Sequence, residues 1–168
     1  MSGTSANEAQ NIAVVRRGYE AFAKGDIETL KALFSPNATW HAVETGILPG
    51  NYQGVQAILE FFGRLAHETQ GSLHVEPKTM AASGDQVFVL HGYRGKRKGK
   101  TVDSKEVLVF KLDQGVMTEV SEFRFDHPTE AQFWSWLGRS RQPRPPGRRL
   151  TRNWVGSARG ALKRADIC

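Results

Sequence analysis

The first third of the chain places hydrophobic and polar residues with the period of an α-helix. Apolar residues recur at intervals of three and four, which puts them on one helical face. In the first helix these residues are Ile12, Val15, Tyr19 and Phe22. Gly25 favours a left-handed helix end, and two further helices are predicted after it. Their inward residues are Ile27, Leu30 and Phe34 in a short second helix, and Val55, Ile58, Leu59, Phe62 and Leu65 in a third.

The periodicity changes from helical to extended after Gly71. Strands are predicted at 38–44, 73–82, 87–94, 101–112 and 116–125. The turns that join the last four strands are short, which suits antiparallel neighbours. Helices first and a meander afterwards predict an α+β domain in which three helices pack on one face of a curved, mainly antiparallel sheet.

The late strands carry apolar residues on both faces of the predicted sheet. In the strand at 101–112 they are Val107 and Val109 on one side, and Leu108 and Phe110 on the other. Helices on one side leave the second apolar face uncovered. We therefore predict a homodimer formed through the sheet, because the polar C-terminal region is a poor alternative cover.

Positive charge is concentrated near the C-terminus. Of the 23 Lys and Arg and the 17 Asp and Glu of the chain, nine basic residues and one acid lie in 138–168. Residues 1–137 thus carry 14 basic and 16 acidic side chains, a net charge of −2. We predict a domain at 1–137 and a basic, Pro- and Arg-rich tail at 138–168. The nearly neutral domain argues against specific binding to nucleic acid.

The predicted tail has two parts. Its first part includes RQPRPPGRR, a composition typical of a disordered linker. A short amphipathic helix is predicted at 152–165, where Trp154 and Leu162 lie near one face with basic residues beside them. Such a helix would bind anionic surfaces weakly, and a solvated tail without function is an equal alternative.

Cysteine and histidine usage gives no sign of a disulfide or a metal site. Cys168 is the only cysteine, and the histidines lack the spacing of metal ligands. No stretch reaches the roughly 18 apolar residues that a membrane span needs. We expect a cytoplasmic protein without a metal or another cofactor.

Four motifs carry a resemblance to a known family. They are the helix end AFAKGD, the passage LFSPNATWH, the loop LPGNYQG and the hairpin VFKLDQGVMTEV. Their order over about residues 8–136 resembles the nuclear transport factor 2-like superfamily, and within it the SnoaL-like, ketosteroid-isomerase-related proteins. The resemblance implies a cone-shaped barrel with a cavity between the helices and the concave sheet face. It does not fix the reaction, because this scaffold hosts several chemistries.

Ketosteroid isomerases provide the first comparison of site residues. Superimposing the Phe-x-x-x-Ala-Thr passages places their general-base aspartate on Ala42, which accepts no proton. Their oxyanion-hole tyrosine falls on Gly18, one residue and about 100° of helix away from Tyr19. Their protonated aspartate falls on Glu106, which is a carboxylic-acid substitute. The resemblance therefore disfavours steroid isomerisation by that mechanism.

Epoxide hydrolases and cyclases of the superfamily provide two further comparisons. The hydrolases hold a water with two aspartates and an arginine, for which Asp103, Lys105 and Glu106 are the nearest candidates. Asp103 and Lys105 share one strand face and Glu106 points to the other, so the three do not converge. SnoaL-type cyclases need an acid near a histidine. The predicted strands supply His41, His91, Glu106 and Glu119.

Strand alternation leaves two interpretations open for each of these residues. With Trp40 facing inward, His41 needs a β-bulge to reach the cavity. His91 lies on an apolar face that lines either the cavity or a dimer interface. Glu106 also lies on an apolar face. It is either a buried acid, with a raised pKa if no cation is near, or a structural hydrogen-bond acceptor.

Two other residues have similar alternatives. Glu119 shares a face with Met117 and Ser121, where it either contacts a ligand or binds a neighbouring backbone group. Tyr52, in the glycine-rich loop, is either a lid over the cavity or an ordinary surface residue.

Two classes of function follow from these patterns. The first is an acid–base enzyme of the cyclase, isomerase or dehydratase type that acts on a small apolar ligand, polycyclic or polyketide-like. Its predicted catalytic residues are Glu106 as the acid and His41 or His91 as the base or orienting group. Its predicted ligand contacts are Trp40, Tyr19, Tyr52, Glu119 and Ser121. The second class is a non-catalytic ligand-binding or interaction module on the same fold.

Removing the tail tests the predicted domain boundary. Truncation after Leu137 is expected to change the melting temperature by no more than a few degrees, because few apolar residues before Trp154 are available to dock. Thermal melts of both chains, followed by circular dichroism, make the comparison. A much larger loss of stability would mean that the tail packs on the domain.

Overall fold

The fold comprises helices and strands within residues 5–44, 47–48 and 50–135, which the computed structural model describes. The helices span Ala6–Lys24 (α1), Ile27–Leu33 (α2), Val55–Glu68 (α3) and His127–Trp134 (α4). The strands span Phe34–His41 (β1), Asn51–Gln53 (β2), His74–Ser83 (β3), Gln86–Arg97 (β4), Lys100–Asp113 (β5) and Val116–Arg124 (β6). The predicted boundary at 137 and the predicted helix at 152–165 lie outside the described residues.

Local signals define the ends of the first two helices. α1 begins at a capping box, in which the Glu8 N–H donates to the Ser5 hydroxyl (3.2 Å) and the Ser5 N–H donates to the Glu8 carboxylate (2.7 Å). It ends at Gly25, whose φ of 67° is the left-handed conformation that glycine adopts without strain. Asp26 then caps α2 by accepting a hydrogen bond from the Thr29 N–H at 3.0 Å.

The six strands form one sheet in the order β2-β1-β6-β5-β4-β3. β1 runs parallel to β6, and the other neighbouring strands are antiparallel. Strands β3 to β6 are the predicted meander, joined by short turns. The α+β class and the mainly antiparallel, curved sheet are thus confirmed.

The first strand begins earlier than the sequence predicts, at Phe34 instead of Ala38. Proline has no N–H to donate to a sheet ladder, so Pro36 argues against a strand at that point. The pairing of β1 with β6 is irregular between Phe34 and Thr39, and the strand passes Pro36 at this irregularity. A local break in the ladder therefore accommodates the proline.

The described residues contain four α-helices, not the predicted three. α4 has eight residues and begins after Asp126, whose carboxylate accepts a hydrogen bond from the Thr129 N–H at 3.2 Å. A helix of two turns is too short to show a clear apolar stripe in the sequence. Arg97 of β4 fixes its end by donating to the Phe133 carbonyl at 3.1 Å. None of the described helices has the length and apolar character needed to cross a membrane.

The hydrophobic core lies between the helices and the inner face of the sheet. Alternate residues of the central strands are fully or almost fully buried there, among them Val87, Val89, Leu108, Phe110 and Val120. The outer face of the same strands keeps large apolar side chains exposed, with Phe88 at 38% and Phe123 at 57%. The inner face also borders a cavity.

Candidate active site

A cavity of about 100 Å³, partly open to solvent, lies between the helices and the inner face of the sheet. Most of its wall is aromatic or aliphatic. Prominent members are Phe22, Phe34, Trp40, Phe62, Phe110 and Trp134. Its polar wall consists of Tyr19, His91, Tyr93, Glu106, Glu122 and Arg124. The cavity therefore places ionisable side chains next to a mostly apolar interior.

Trp40 organises the aromatic part of the wall. Its ring meets Phe62 edge to face, with centroids 5.1 Å apart, and Phe110 in the same way at 6.3 Å. Such contacts fix ring orientations beyond what apolar burial does. Its indole N–H donates to the Glu122 carboxylate at 2.7 Å. Trp40 thereby joins the aromatic wall to the polar one.

Three side chains form a continuous hydrogen-bonded row in the cavity. The Tyr19 oxygen lies 2.6 Å from His91 Nδ1, and His91 Nε2 lies 2.8 Å from Glu106 Oε1. His91 and Glu106 are directly opposite each other on β4 and β5, so the sheet register brings them together. Tyr19 reaches them from α1. We call Tyr19, His91 and Glu106 the relay.

Arg124 connects three buried carboxylates. Its Nε lies 3.3 Å from Glu106 Oε2 and 3.0 Å from Glu130 Oε2, and its Nη2 lies 3.1 Å from Glu122 Oε2. Of the alternatives left open for Glu106, the structure thus shows a buried acid in contact with a cation. One guanidinium cannot fully compensate three carboxylates, so part of the buried negative charge must be offset by protons.

Burial with incomplete compensation of charge raises the pKa values of two of these acids, Glu122 and Glu130. Burial and the neighbouring Glu106 carboxylate raise the pKa of Glu122 from 4.5 to about 7, against the effect of Arg124 and the Trp40 N–H. Burial also raises the pKa of Glu130 above its ordinary value, although the Ser104 hydroxyl donates to it at 3.0 Å. Glu122 lines the cavity, so it is an acid that can change its charge near neutral pH.

Four of the residues predicted from the sequence meet in the cavity. They are Trp40, Tyr19, His91 and Glu106. His41 instead points to the outer face, where Nδ1 lies 2.9 Å from Asn51 Oδ1 and Nε2 lies 3.5 Å from Glu119. Simple strand alternation explains the difference between Trp40 and His41, because adjacent strand residues point to opposite faces.

The other three predicted contacts do not line the cavity. Ser121 pairs with His41 in the β1–β6 register, on the outer face. Glu119 lies on that face too. The Tyr52 ring stacks on Phe61 with centroids 4.3 Å apart and so supports a wall residue from behind.

A β-bulge explains why the sequence pointed to Glu119 instead of Glu122. Lys111 pairs with Glu119 and Leu112 with Met117, so Thr118 is an extra residue on β6. The bulge reverses the alternation, and Glu122 and Arg124 face the cavity. No motif marks this bulge, but the inward position of Val120, completely buried, shows its effect.

Comparison with known proteins agrees with this architecture. The SnoaL-like domain family matches residues 15–120, which is more than half of the chain. The chain belongs to the SnoaL-like family. An uncharacterized protein of Mycobacterium tuberculosis is 29% identical over 126 residues, covering 74% of this chain and 96% of that protein.

Solved structures show the same SnoaL-like fold. Bal32a, from a soil-derived mobile gene cassette, is 34% identical with a TM-score of 0.73, covering 76% of this chain and 98% of Bal32a. A protein from Jannaschia sp. CCS1, proposed to be a SnoaL-like polyketide cyclase, is 20% identical with a TM-score of 0.67, covering 82% and 99% of the two chains. At that identity the second likeness shows the fold alone. The cavity is thus that of a SnoaL-like ligand-binding fold.

The raised pKa of Glu122 predicts a specific pH dependence of stability. The folded protein holds the Glu122 proton up to about pH 7, whereas the unfolded chain releases it near pH 4.5. Stabilisation from this group is therefore complete below pH 4.5 and is lost as the pH rises through 7. Between pH 5 and pH 8, wild type should lose on the order of 3 kcal/mol relative to Glu122→Gln, which does not titrate.

Urea unfolding of both proteins at the two pH values measures this difference. Glu119→Gln is the matched control, because Glu119 lies on the outer face of the same strand, and it should follow wild type. An identical pH dependence in wild type and Glu122→Gln would contradict the prediction.

Proposed function

We propose that this SnoaL-like protein is an acid–base enzyme that moves a proton on a small, apolar ring compound, using the relay. The single observation that carries the proposal is the unbroken row of hydrogen bonds from Tyr19 through His91 to Glu106, which begins in an apolar cavity. A buried row of this kind transfers protons without exposing a charge to water.

Tyr19 is the member of the relay that meets the ligand. Both ring nitrogens of His91 are already hydrogen-bonded, so the imidazole acts through Tyr19. Burial and the carboxylates of Glu106 and Glu122 raise the pKa of Tyr19 well above its ordinary value. The phenol therefore stays neutral when alone and needs His91 to accept its proton.

The charge of His91 decides what Tyr19 offers to a ligand. A neutral imidazole that donates from Nε2 to Glu106 accepts the Tyr19 proton at Nδ1, which leaves Tyr19 lone pairs for the cavity. An imidazolium donates from both nitrogens, and the Tyr19 hydroxyl then donates to the ligand. The same residue thus serves as base or acid.

The reaction we propose is proton removal from a carbon beside a carbonyl group. The carbon-bound proton passes to the Tyr19 oxygen as the Tyr19 hydroxyl proton passes to His91 Nδ1, and the C–H electron pair becomes that of an enolate. The Glu106 carboxylate, 2.8 Å from His91 Nε2, accepts a hydrogen bond from the imidazolium. Isomerases, dehydratases and aldol-type cyclases share this step, so the proposal does not depend on which product forms.

The size of the cavity bears on the ligand. About 100 Å³ corresponds to one small ring, since an engineered cavity of about 150 Å³ takes up benzene. A polycyclic ligand would have to extend through the open side. We therefore expect one- and two-ring compounds to be the first to bind.

Deuterium exchange tests the relay without knowledge of the natural substrate. In D₂O, wild type should accelerate exchange of the α-protons of 1-indanone, followed by NMR. His91→Asn and Tyr19→Phe should lower the enzymatic rate by about 100-fold or more, the usual contribution of a general acid or base. Glu106→Gln should lower it too, because an amide pairs less well with an imidazolium.

His41→Asn is the matched control for this experiment. His41 also has a carboxylate neighbour, Glu119, but lies outside the cavity, so its variant should keep the wild-type rate. Equal rates in His91→Asn and wild type would refute the relay. The second candidate function is a non-catalytic ligand-binding protein, for which the apolar cavity wall is sufficient. Binding of 1-indanone without catalysed exchange would favour this second function.

We also propose that the protein forms a homodimer through the outer face of the sheet. Phe88 and Phe123 are exposed there, with Val107 and Val109 half-buried between them. Val107 pairs with Phe123 and Val109 with Phe88, so the four side chains form one patch across three strands. A patch of this kind is typical of a contact surface.

Sedimentation at micromolar concentration should find a dimer for wild type and a monomer for the double variant Phe88→Glu, Phe123→Glu. Two carboxylates from each protomer, buried at the centre of an apolar interface, oppose association strongly. Ile27→Glu, on α2 and also exposed in the monomer, is the control and should remain dimeric. A wild-type monomer under these conditions would contradict the proposal.

A further inference from the structure

Trp134 is a cavity residue with an unused hydrogen-bond donor. Its side chain lines the cavity and is 2% exposed. Among the described residues, its Nε1 has no hydrogen-bond partner. An indole N–H only donates, and buried donors are nearly always paired. The relay does not use this group.

The backbone around Trp134 is held at three successive carbonyl groups. Arg97 Nη1 donates to the Phe133 carbonyl at 3.1 Å and to the Ser135 carbonyl at 2.9 Å. The Ile47 N–H donates to the Trp134 carbonyl between them at 3.1 Å. These bonds fix the backbone at the end of α4, and the indole itself packs edge to face on Phe133 with ring centroids 4.8 Å apart.

Arg97 is itself fixed. It is 2% exposed, and its Nε donates to the Glu68 carboxylate of α3 at 2.8 Å. The ion pair therefore ties α3, β4 and α4 together at this end of the cavity. The buried Arg97 side chain thus holds the backbone on both sides of Trp134.

The hydroxyl of Tyr93 is a second group in the cavity wall without a hydrogen-bond partner, but a carboxylate beside it is available to accept its hydrogen bond. Glu130 lies near the Tyr93 hydroxyl, because Ser104, the residue that pairs with Tyr93 on β5, donates to the Glu130 carboxylate at 3.0 Å. Burial and the carboxylates of Glu106 and Glu130 accordingly raise the pKa of Tyr93. A small movement would pair Tyr93 with Glu130. The ligand contact is therefore better assigned to Trp134.

We propose that Trp134 is a specificity-determining residue whose indole N–H donates to a neutral oxygen acceptor of the ligand, such as a carbonyl oxygen. The inference rests on the ligand-binding part of the proposed function and not on its proton transfer. The acceptor is neutral because Glu106, Glu122 and Glu130 lie near the same cavity and would repel an anion. Ligands should therefore be neutral ring compounds that carry an oxygen acceptor.

Three probes of similar size separate these properties. Acetophenone has a ring and a carbonyl oxygen, ethylbenzene has the same ring and two-carbon chain without the acceptor, and benzoate has an anionic acceptor. Titrations followed by NMR should find that wild type binds acetophenone about tenfold more tightly than ethylbenzene, and that benzoate binds most weakly. Acetophenone should also shift the Trp134 indole N–H resonance downfield, whereas ethylbenzene should not.

Trp134→Phe removes the donor and keeps an aromatic ring. It should lose the tenfold preference for acetophenone while ethylbenzene affinity changes little, a pattern that general damage to the cavity would not produce. Tyr52→Phe is the matched control, because the Tyr52 hydroxyl is also buried without a partner but lies outside the cavity lining. It should keep the preference.

Several outcomes would overturn the proposal. They are equal binding of acetophenone and ethylbenzene by wild type, no binding of either probe, an unchanged preference in Trp134→Phe, and loss of the preference in Tyr19→Phe but not in Trp134→Phe. Failure of the relay is distinguishable from all of these, since a protein without exchange activity would still discriminate between the two probes through Trp134.

Discussion

The site depends on one buried cation. Arg124 is 5% exposed and holds Glu106, Glu122 and Glu130 within 3.3 Å, on β5, β6 and α4. Burying four charged groups costs far more than a surface ion pair, and removing the cation would leave the carboxylates uncompensated. The same arrangement sets the chemistry, because incomplete compensation raises the pKa of Glu122 while Glu106 remains paired with both His91 and Arg124.

The apolar wall and the polar cluster act on each other. Aromatic rings around Trp40 exclude water, which strengthens the electrostatic coupling among the buried groups. The Trp40 N–H in turn donates to Glu122, so the ring at the centre of the aromatic wall is oriented by an ionisable partner. The cavity therefore joins apolar space for a ring compound to the ionisable groups that the proposed proton transfer would use.

The family relationship and the site residues answer different questions. Membership of the SnoaL-like family and the similarity to Bal32a establish the fold. The reaction has to come from side chains, because one fold carries many activities. Here the informative side chains are the relay, which would move the proton, and Trp134, which would select the ligand. They lie on α1, β4, β5 and α4, so the function we propose needs the whole domain.

The sequence by itself determined the α+β class, the first three helices and the meander, because these follow from short-range periodicity and capping. It named Trp40, His91 and Glu106 as candidates, but strand alternation left open which of them face the cavity. Tertiary structure alone decided the rest. The bulge at Thr118 turns Glu122 and Arg124 inward. α4 has only eight residues, too few for a periodic pattern that would predict a helix. Glu106 contacts Arg124 because strand pairing across a hairpin places them opposite each other. The pKa of a buried group depends on such spatial neighbours, and a local sequence pattern does not show which residues they are.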